Sequence, residues 1–514
     1  MKDSNRSGTL LPEMVPPQSK TESPRKDSGV AIAHRHSLGT ILLLLLGVYF
    51  GFHVLTRSVV SHNLQLDEAE QFILTQDWRW GYGAQPPLYN WLQKALFSAL
   101  GVNVFALSLL KNLSLWAAYA FTFLAAREIL VNARLAALAT AALLFFPQIA
   151  WESQRDQSHL VLATTAAAAT LWIFVRLLKT GAAIWYISLG VAMAVGFLSK
   201  YNYLLLPVPL ICAALMMRQY RQSVLSSKIA LTFLVFAAIT APHMIWMIGN
   251  KTEVTSQNSR FLTTGLLAPN SPIAGVLQVF KAYIGMGVVP LLIFAPFMIR
   301  KFKSKSLSRE TTPLLDWLAK AFVIGFALTV IVVIASHATY LRDRWVQPLM
   351  LAFPILLIGL LHEHIHERNV KQLFALAAVV ALTALTAINV TVIGANTIRR
   401  SHNLNIPYPE LAAQFRKRGF EHGTIIANGF LVGGNLKNQY RDCRVMVPEM
   451  ADKLPPQRPV LIVWSARFED LPPEFRAYAS RLTGLPPDQT PSYLDIPCKN
   501  GRRTSEKFGF FLLR

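Results

Sequence analysis

Charge is scarce in this sequence, and cysteine is scarcer still. Only 15% of the 514 residues are charged while 53% are apolar, a balance that excludes an ordinary soluble enzyme of this size and reads as a polytopic membrane protein. Three cysteines exclude a cysteine metal framework. Cys212 falls within an apolar stretch, which leaves Cys443 and Cys498 in a polar C-terminal region, where they are expected to pair. No internal repeat is evident, which argues against a transporter built from repeated halves. The net charge of +22 would suit a polynucleotide-binding protein. Many of the basic residues, however, cluster before the first apolar stretch and in short segments between later ones, a placement that orients membrane spans. No nucleic-acid partner is expected.

Residues 1–37 have no apolar periodicity and are expected to be a disordered, basic, cytoplasmic tail. No small-residue cleavage site follows the first apolar run at 41–55, so it reads as a retained span rather than a signal peptide. A span needs about 20 mainly apolar residues. That criterion places spans near 38–56, 104–127, 134–150, 158–178, 182–198, 202–217, 228–248, 276–299, 316–335, 344–361 and 372–394, about eleven in all. With a cytoplasmic amino terminus, alternation puts the basic segments 127–134, 176–179, 218–228, 300–309 and 362–371 on one side, as the positive-inside bias requires. It puts Asp67, Glu68, Asp156, Lys200, the 249–275 loop, Arg342 and Arg344 on the other.

The first loop, 57–103, is too polar to cross a bilayer. Within it, Asp67 and Glu68 head a short helical pattern with Ala69, Phe72 and Ile73 at i, i+3, i+4 spacing. A second helix is expected after Pro86-Pro87, carrying Leu88, Trp91, Leu92, Ala95, Leu96 and Ala99 on one apolar face and stopping at Gly101. Trp78, Trp80 and Tyr82 lie between the two, the aromatic content expected at headgroup depth. The loop thus holds an acid pair beside the lipid surface on interfacial helices. After residue 394 no run is long enough to span, and 395–514 reads as a small α/β domain. Its expected strands are 424–427, 444–447, 460–464 and 508–513, with one helix opening at 408 and stopping near 419 and another near 473–482.

An acid pair after the first span, an aromatic stretch and then QPPLYNW at 85–91 resemble the first loop of the GT-C integral membrane glycosyltransferases that use polyprenyl-phosphate sugars. That family includes protein O-mannosyltransferases, the aminoarabinose transferase of lipid A and rhizobial lipopolysaccharide galacturonosyltransferases, the last being the nearest in look. WESQRDQSHLVLAT at 151–164, LSKYN at 198–202, PHMIW at 242–246 and RDRWVQPL at 342–349 extend the resemblance over most of the membrane portion. The expected fold class is therefore an α-helical polytopic membrane protein, GT-C-like, comprising a transmembrane domain over 38–394 and a periplasmic α/β domain over 395–514.

The resemblance implies transfer of a sugar from an undecaprenyl-type phosphate to an envelope acceptor, lipid A or lipopolysaccharide core first, with inversion at the periplasmic face of a bacterial inner membrane. Such a reaction needs a base for the acceptor hydroxyl and positive charge for the departing phosphate. Asp67 is the expected base, with Glu68 beside it and Asp156 as a second acid. Lys200, Arg342, Arg344 and His243 are the expected donor-phosphate groups. Each has a plainer reading: Asp67 as the N-cap of an Asp-x-x-Glu box with Glu70, Asp156 as a partner of Arg155 or a cap of the next helix, and the basic residues as snorkelling span ends. HEHIHE at 362–367 looks like a metal cluster, with His362 and His366 on one helical face, but it lies on the opposite side and reads as an interfacial cap. No metal or other cofactor is assigned. Where the aminoarabinose transferase carries Glu-Lys-Pro, this chain has Ala84-Gln85-Pro86, one charge pair fewer. A lipid or polysaccharide transporter and a non-catalytic membrane scaffold are the competing functions, the former needing ionisable groups at mid-membrane.

Overall fold

The computed structural model describes residues 27–130, 132–251, 254, 272–304, 312–397, 402–450, 454–467, 470–486, 488–498 and 504–514. Among these, seven helices are long and apolar enough to cross a membrane: Leu38–Val60, Val104–Leu130, His159–Thr180, Ile229–Gly249, Ile273–Lys303, Pro313–Ala335 and Glu367–Ile393. Three bent pairs add to them: Ala133–Phe145 with Gln148–Asp156, Tyr201–Met216 with Arg218–Leu225, and Asp343–Met350 with Phe353–His364. Counting each pair as one span gives 10. The remaining expected segment is the shorter apolar helix Ala183–Ser199. Large apolar side chains such as Leu44, Leu45, Phe233, Ile284 and Val323 stay exposed, as a bilayer-facing surface requires.

The first long helix, α1 (Asp27–Val60), begins well inside the stretch expected as a disordered tail. Two short helices follow, α2 (Leu66–Leu74) and α3 (Leu88–Leu100), and then α4 (Val104–Leu130). The plainer reading of Asp67 as the cap of α2 does not hold. Gln65, not Asp67, is the N-cap, and its backbone N–H donates to Glu68 Oε2 at 2.9 Å. Asp is the better N-cap in isolation, but tertiary contacts on Glu68 decide the register. In α3 the buried face is Tyr89, Asn90, Gln93 and Phe97, while Leu92 and Leu100 are exposed. The apolar stripe therefore points outward, which suits a helix whose solvent on that side is lipid.

The C-terminal domain has a five-stranded sheet in the order β2-β1-β3-β5-β4. Its strands are β1 (Thr424–Ala427), β2 (Arg444–Met446), β3 (Val460–Ser465), β4 (Ser492–Pro497) and β5 (Ser505–Leu513). β1 runs parallel to β2 and β3, and β5 runs antiparallel to β3 and β4. The unexpected strand is β4, an edge strand whose SYLDIP carries few β-branched residues and ends in proline, which sheets tolerate at edges. The expected disulfide is not formed between Cys443 and Cys498. Cys443 precedes β2 and Cys498 follows β4, at opposite edges of the sheet. Four strand spacings of about 4.8 Å separate those edges, beyond what a disulfide spans.

One of the two apolar cores flanking this sheet includes Ile73, Leu74 and Tyr82 of the first loop. The domain and the loop therefore fold as one body over α2.

Candidate active site

Helix α2 is held from three sides. Behind it, the Arg57 guanidinium at the end of α1 grips the Glu68 carboxylate through two bonds, Nε to Oε1 at 3.0 Å and Nη2 to Oε2 at 2.5 Å. Lys111 of α4 stands 3.8 Å from Oε1. Burial alone would lift the Glu68 carboxyl, but the two cations outweigh it and hold the group at about 2. Above it, the C-terminal domain clamps the chain: Asn435 accepts the Leu64 N–H at 2.8 Å and donates to the Leu64 carbonyl at 3.1 Å. A Cβ at Gly434 would fall 2.2 Å from the Ala69 carbonyl oxygen, so glycine there is what permits the close approach. Gln76, just past α2, bonds the backbone of Val445 in both directions, and Asp77 pairs with Arg444 at 2.7 Å. In front, the Asp67 N–H donates to Asp156 Oδ1 at 3.1 Å.

This last bond brings two of the expected acids together across 89 positions of sequence. Asp156 neither pairs with Arg155 nor caps the following helix. Arg155 lies 4.0 Å from Glu152, and Ser158 is the N-cap of His159–Thr180. Asp156 instead lines a cavity of about 440 Å³ together with Arg155, Lys281, Arg342, Asp343 and Arg344, within the size range of small-ligand sites. Asp67, bonded to Asp156, is half-buried and lies within electrostatic reach of Arg344, Lys200 and Lys111. Burial raises its carboxyl above the ordinary aspartate range despite those cations. Glu70, one turn on, is pushed up to about 8 by burial and by the neighbouring Asp67. Lys200 feels Asp67, Glu70, Arg342 and Arg344 at once.

Asp67 and Asp156 thus meet within electrostatic reach of Lys200 and Arg344, and no ion pair joins these acids to these cations among the described residues. Among the described residues, the Lys200 and Arg344 side chains make no hydrogen bond or ion pair, and the Arg342 guanidinium only lies over the Tyr340 ring. The segment bearing the arginines is fixed through Asp343, which accepts from Gln148 Nε2 at 2.5 Å and from the Arg344 N–H at 2.8 Å. The Asn202 amide, two residues past Lys200, ties that strand of structure to the Trp345 carbonyl at 2.6 Å. Cations on a tethered backbone beside a pair of carboxyls can bind a phosphate and take a proton.

His243 is placed differently. Its Nδ1 lies 2.6 Å from the Trp80 carbonyl and its Nε2 lies 3.0 Å from the Tyr201 hydroxyl, so both ring nitrogens are engaged and the ring links the aromatic part of the first loop to the segment after Lys200. His362 and His366 do not share a helix face: His362–His364 is a 3₁₀ turn and His366 caps the next helix. Among the described residues, no group of three His, Cys, Asp or Glu side chains is set to hold a metal ion. Sequence reasoning passed over Arg57, Lys111 and the full role of Glu70. Lys111 carried a signal, a lysine inside an apolar span; Arg57 carried none.

A family model for dolichyl-phosphate-mannose-protein mannosyltransferase matches residues 84–246. The lipopolysaccharide core galacturonosyltransferase RgtA of Rhizobium johnstonii is 31% identical over 439 residues, covering 82% of this chain and 86% of that protein. RgtB of the same organism, likewise a lipopolysaccharide core galacturonosyltransferase, is 30% identical over 481 residues, covering 91% and 96%. Among solved structures, ArnT from Cupriavidus metallidurans bound to undecaprenyl phosphate has the same fold, with a TM-score of 0.62 over 92% of this chain and 97% of that one at 14% identity. Its apo state gives 0.58 over 94% and 98%. With this fold and these relatives, the chain belongs to the GT-C family of polyprenyl-phosphate-sugar-dependent glycosyltransferases and is a membrane-embedded glycosyltransferase.

Proposed function

We propose that this glycosyltransferase moves galacturonic acid from an undecaprenyl-type phosphate to a hydroxyl of the lipopolysaccharide core, at the periplasmic face of the inner membrane. The observation that carries the reading is a cavity lined by Asp156, Arg342 and Arg344, with Asp67 bonded to Asp156 and Lys200 within electrostatic reach of Asp67 and both arginines. The relatives' names supply the sugar and acceptor, and the undecaprenyl phosphate bound to ArnT supplies the donor class. The positive-inside distribution supports the orientation.

Asp67 accepts the proton of the acceptor hydroxyl as its oxygen attacks the anomeric carbon. The bond from that carbon to the phosphate oxygen breaks with its electron pair going to the phosphate, and the anomeric centre inverts. Arg342, Arg344 and Lys200 bind the phosphate and stabilise the extra charge it gains on leaving. Asp156 takes the Asp67 N–H and sets its orientation. Glu68 positions α2 through Arg57 and Lys111, and His243 positions the loop through Trp80.

The test is mass spectrometry of lipopolysaccharide from cells with and without the chain, joined to transfer by the purified full chain from undecaprenyl-phosphate galacturonic acid. Loss of a uronic acid from the core on deletion, restored by the wild-type chain, is expected. An unchanged core together with no transfer in vitro would overturn the donor and acceptor assignment.

A further inference from the structure

The acids that line the 440 Å³ cavity each have a partner. Glu152 faces Arg155, Asp343 holds Gln148 and the Arg344 N–H, and Asp156 accepts from Asp67. Lys281 does not: among the described residues it makes no hydrogen bond or ion pair. Gln278, one turn before it, also lines the cavity and has a buried Oε1 with no hydrogen-bond partner. Residues three apart share a helix face, so the Ile273–Lys303 helix presents an unpaired cation and an unpaired acceptor side by side. A buried acceptor left unmade costs free energy, which a ligand hydroxyl in the cavity would recover.

The position of Lys281 separates it from the phosphate groups. Gly285, four residues on, is the point where this helix meets the arginine segment: its carbonyl accepts from Gln148 at 3.1 Å, and a Cβ there would lie 3.4 Å from Asp343. Lys281 is therefore about one helical turn, roughly 5 Å, from that level. A phosphodiester carries one negative charge, which Arg342 and Arg344 can meet from a single segment. A second cation displaced by about the width of a pyranose ring suits a second anion on the same ligand.

We propose that Lys281 and Gln278 form the sugar-recognition subsite, with the Lys281 ammonium pairing with a carboxylate on the transferred sugar and Gln278 Oε1 accepting from one of its hydroxyls. Such a subsite selects an acidic sugar over its neutral counterpart. This rests on the sugar-transfer reading above and adds the residues that select the sugar.

The experiment compares kcat/KM of the full, detergent-solubilised chain for undecaprenyl-phosphate galacturonic acid and undecaprenyl-phosphate galactose. It uses wild type, Lys281→Met, Lys281→Arg and Gln278→Leu. Wild type is expected to prefer the acidic donor. Lys281→Met should reduce that preference about 10- to 100-fold, the worth of a hydrogen bond to a charged group, and Lys281→Arg should keep most of it. Gln278→Leu should raise KM for the acidic donor. An equal loss on both donors with Lys281→Met would show that Lys281 serves the phosphate or the fold, and an unchanged preference would show that it serves neither sugar nor phosphate; either result overturns the subsite and leaves the sugar-transfer reading intact. A wild-type chain that uses only the neutral donor would instead remove the galacturonate assignment, and the subsite with it.

Discussion

Replacing Glu68 by Gln should loosen α2 by an amount that the structure allows to be worked out. The Glu68 side chain is buried, and both of its oxygens face cations. Holding a glutamate at about 2 rather than the ordinary 4.5 corresponds to about 3 kcal/mol at 1.36 kcal/mol per pH unit. This agrees with the roughly 3–5 kcal/mol lost when one partner of a buried pair is removed. Because the folded-state value is depressed, the contribution is fully present above about pH 4.5 and disappears as pH falls toward 2. The thermal midpoint of detergent-solubilised Glu68→Gln should therefore lie clearly below wild type at pH 7, and the gap should narrow as pH drops below 4.5. Protease should also reach the 57–66 segment sooner, since Arg57 would lose its partner while still bonding the Ser61 and Asn63 carbonyls. A variant as stable as wild type at pH 7, or a gap independent of pH, would refute the role given to this ion triad.

Glu70 gives the opposite pH dependence. With its folded-state carboxyl raised to about 8 by burial and Asp67, its contribution is present below about pH 4.5 and is lost as pH rises through 8. Glu70→Gln should therefore gain on wild type in thermal midpoint across that window, and a flat difference from pH 5 to 9 would contradict it. The raised Asp67 carboxyl should place the acid limb of the kcat profile above the ordinary aspartate range, with activity growing as pH increases through it; a limb near 4 would contradict the burial argument. Gly434→Val must push the C-terminal domain off Ala69, at a cost of about 1–3 kcal/mol for overpacking. It should lower kcat while leaving the chain in the membrane, and wild-type kcat would show that the clamp on α2 is dispensable.

The spans and the polar loop were legible because a bilayer demands long apolar runs, and acids beside an interface stand out against so little charge. Bends were harder to see: 344–361 reads as one apolar run, yet the structure turns it by 58° between its two helices. The start of α2 is ambiguous in sequence because Gln65-x-x-Glu68 and Asp67-x-x-Glu70 are both acceptable locally, and the Arg57 contact on Glu68 comes from another helix. The Asp67–Asp156 contact, the convergence of Lys200 with the arginines, and the clamp by Asn435 all join segments far apart in sequence. Their motifs could be found one by one, but no spacing rule relates them. Cys443 and Cys498 fail for the same reason, since separation along the chain says nothing about opposite edges of a sheet.

Single-turnover transfer by Asp67→Asn tests directly whether Asp67 takes the acceptor's proton. Asp67 is the second residue of α2 and not its cap, so the amide should fit with little loss of stability, but it cannot act as a base. With undecaprenyl-phosphate galacturonic acid and purified core acceptor, the expected rate is about 10²–10⁴-fold below wild type, with normal protein level and donor affinity. An Asn variant that folds normally and transfers sugar at close to the wild-type rate would contradict it.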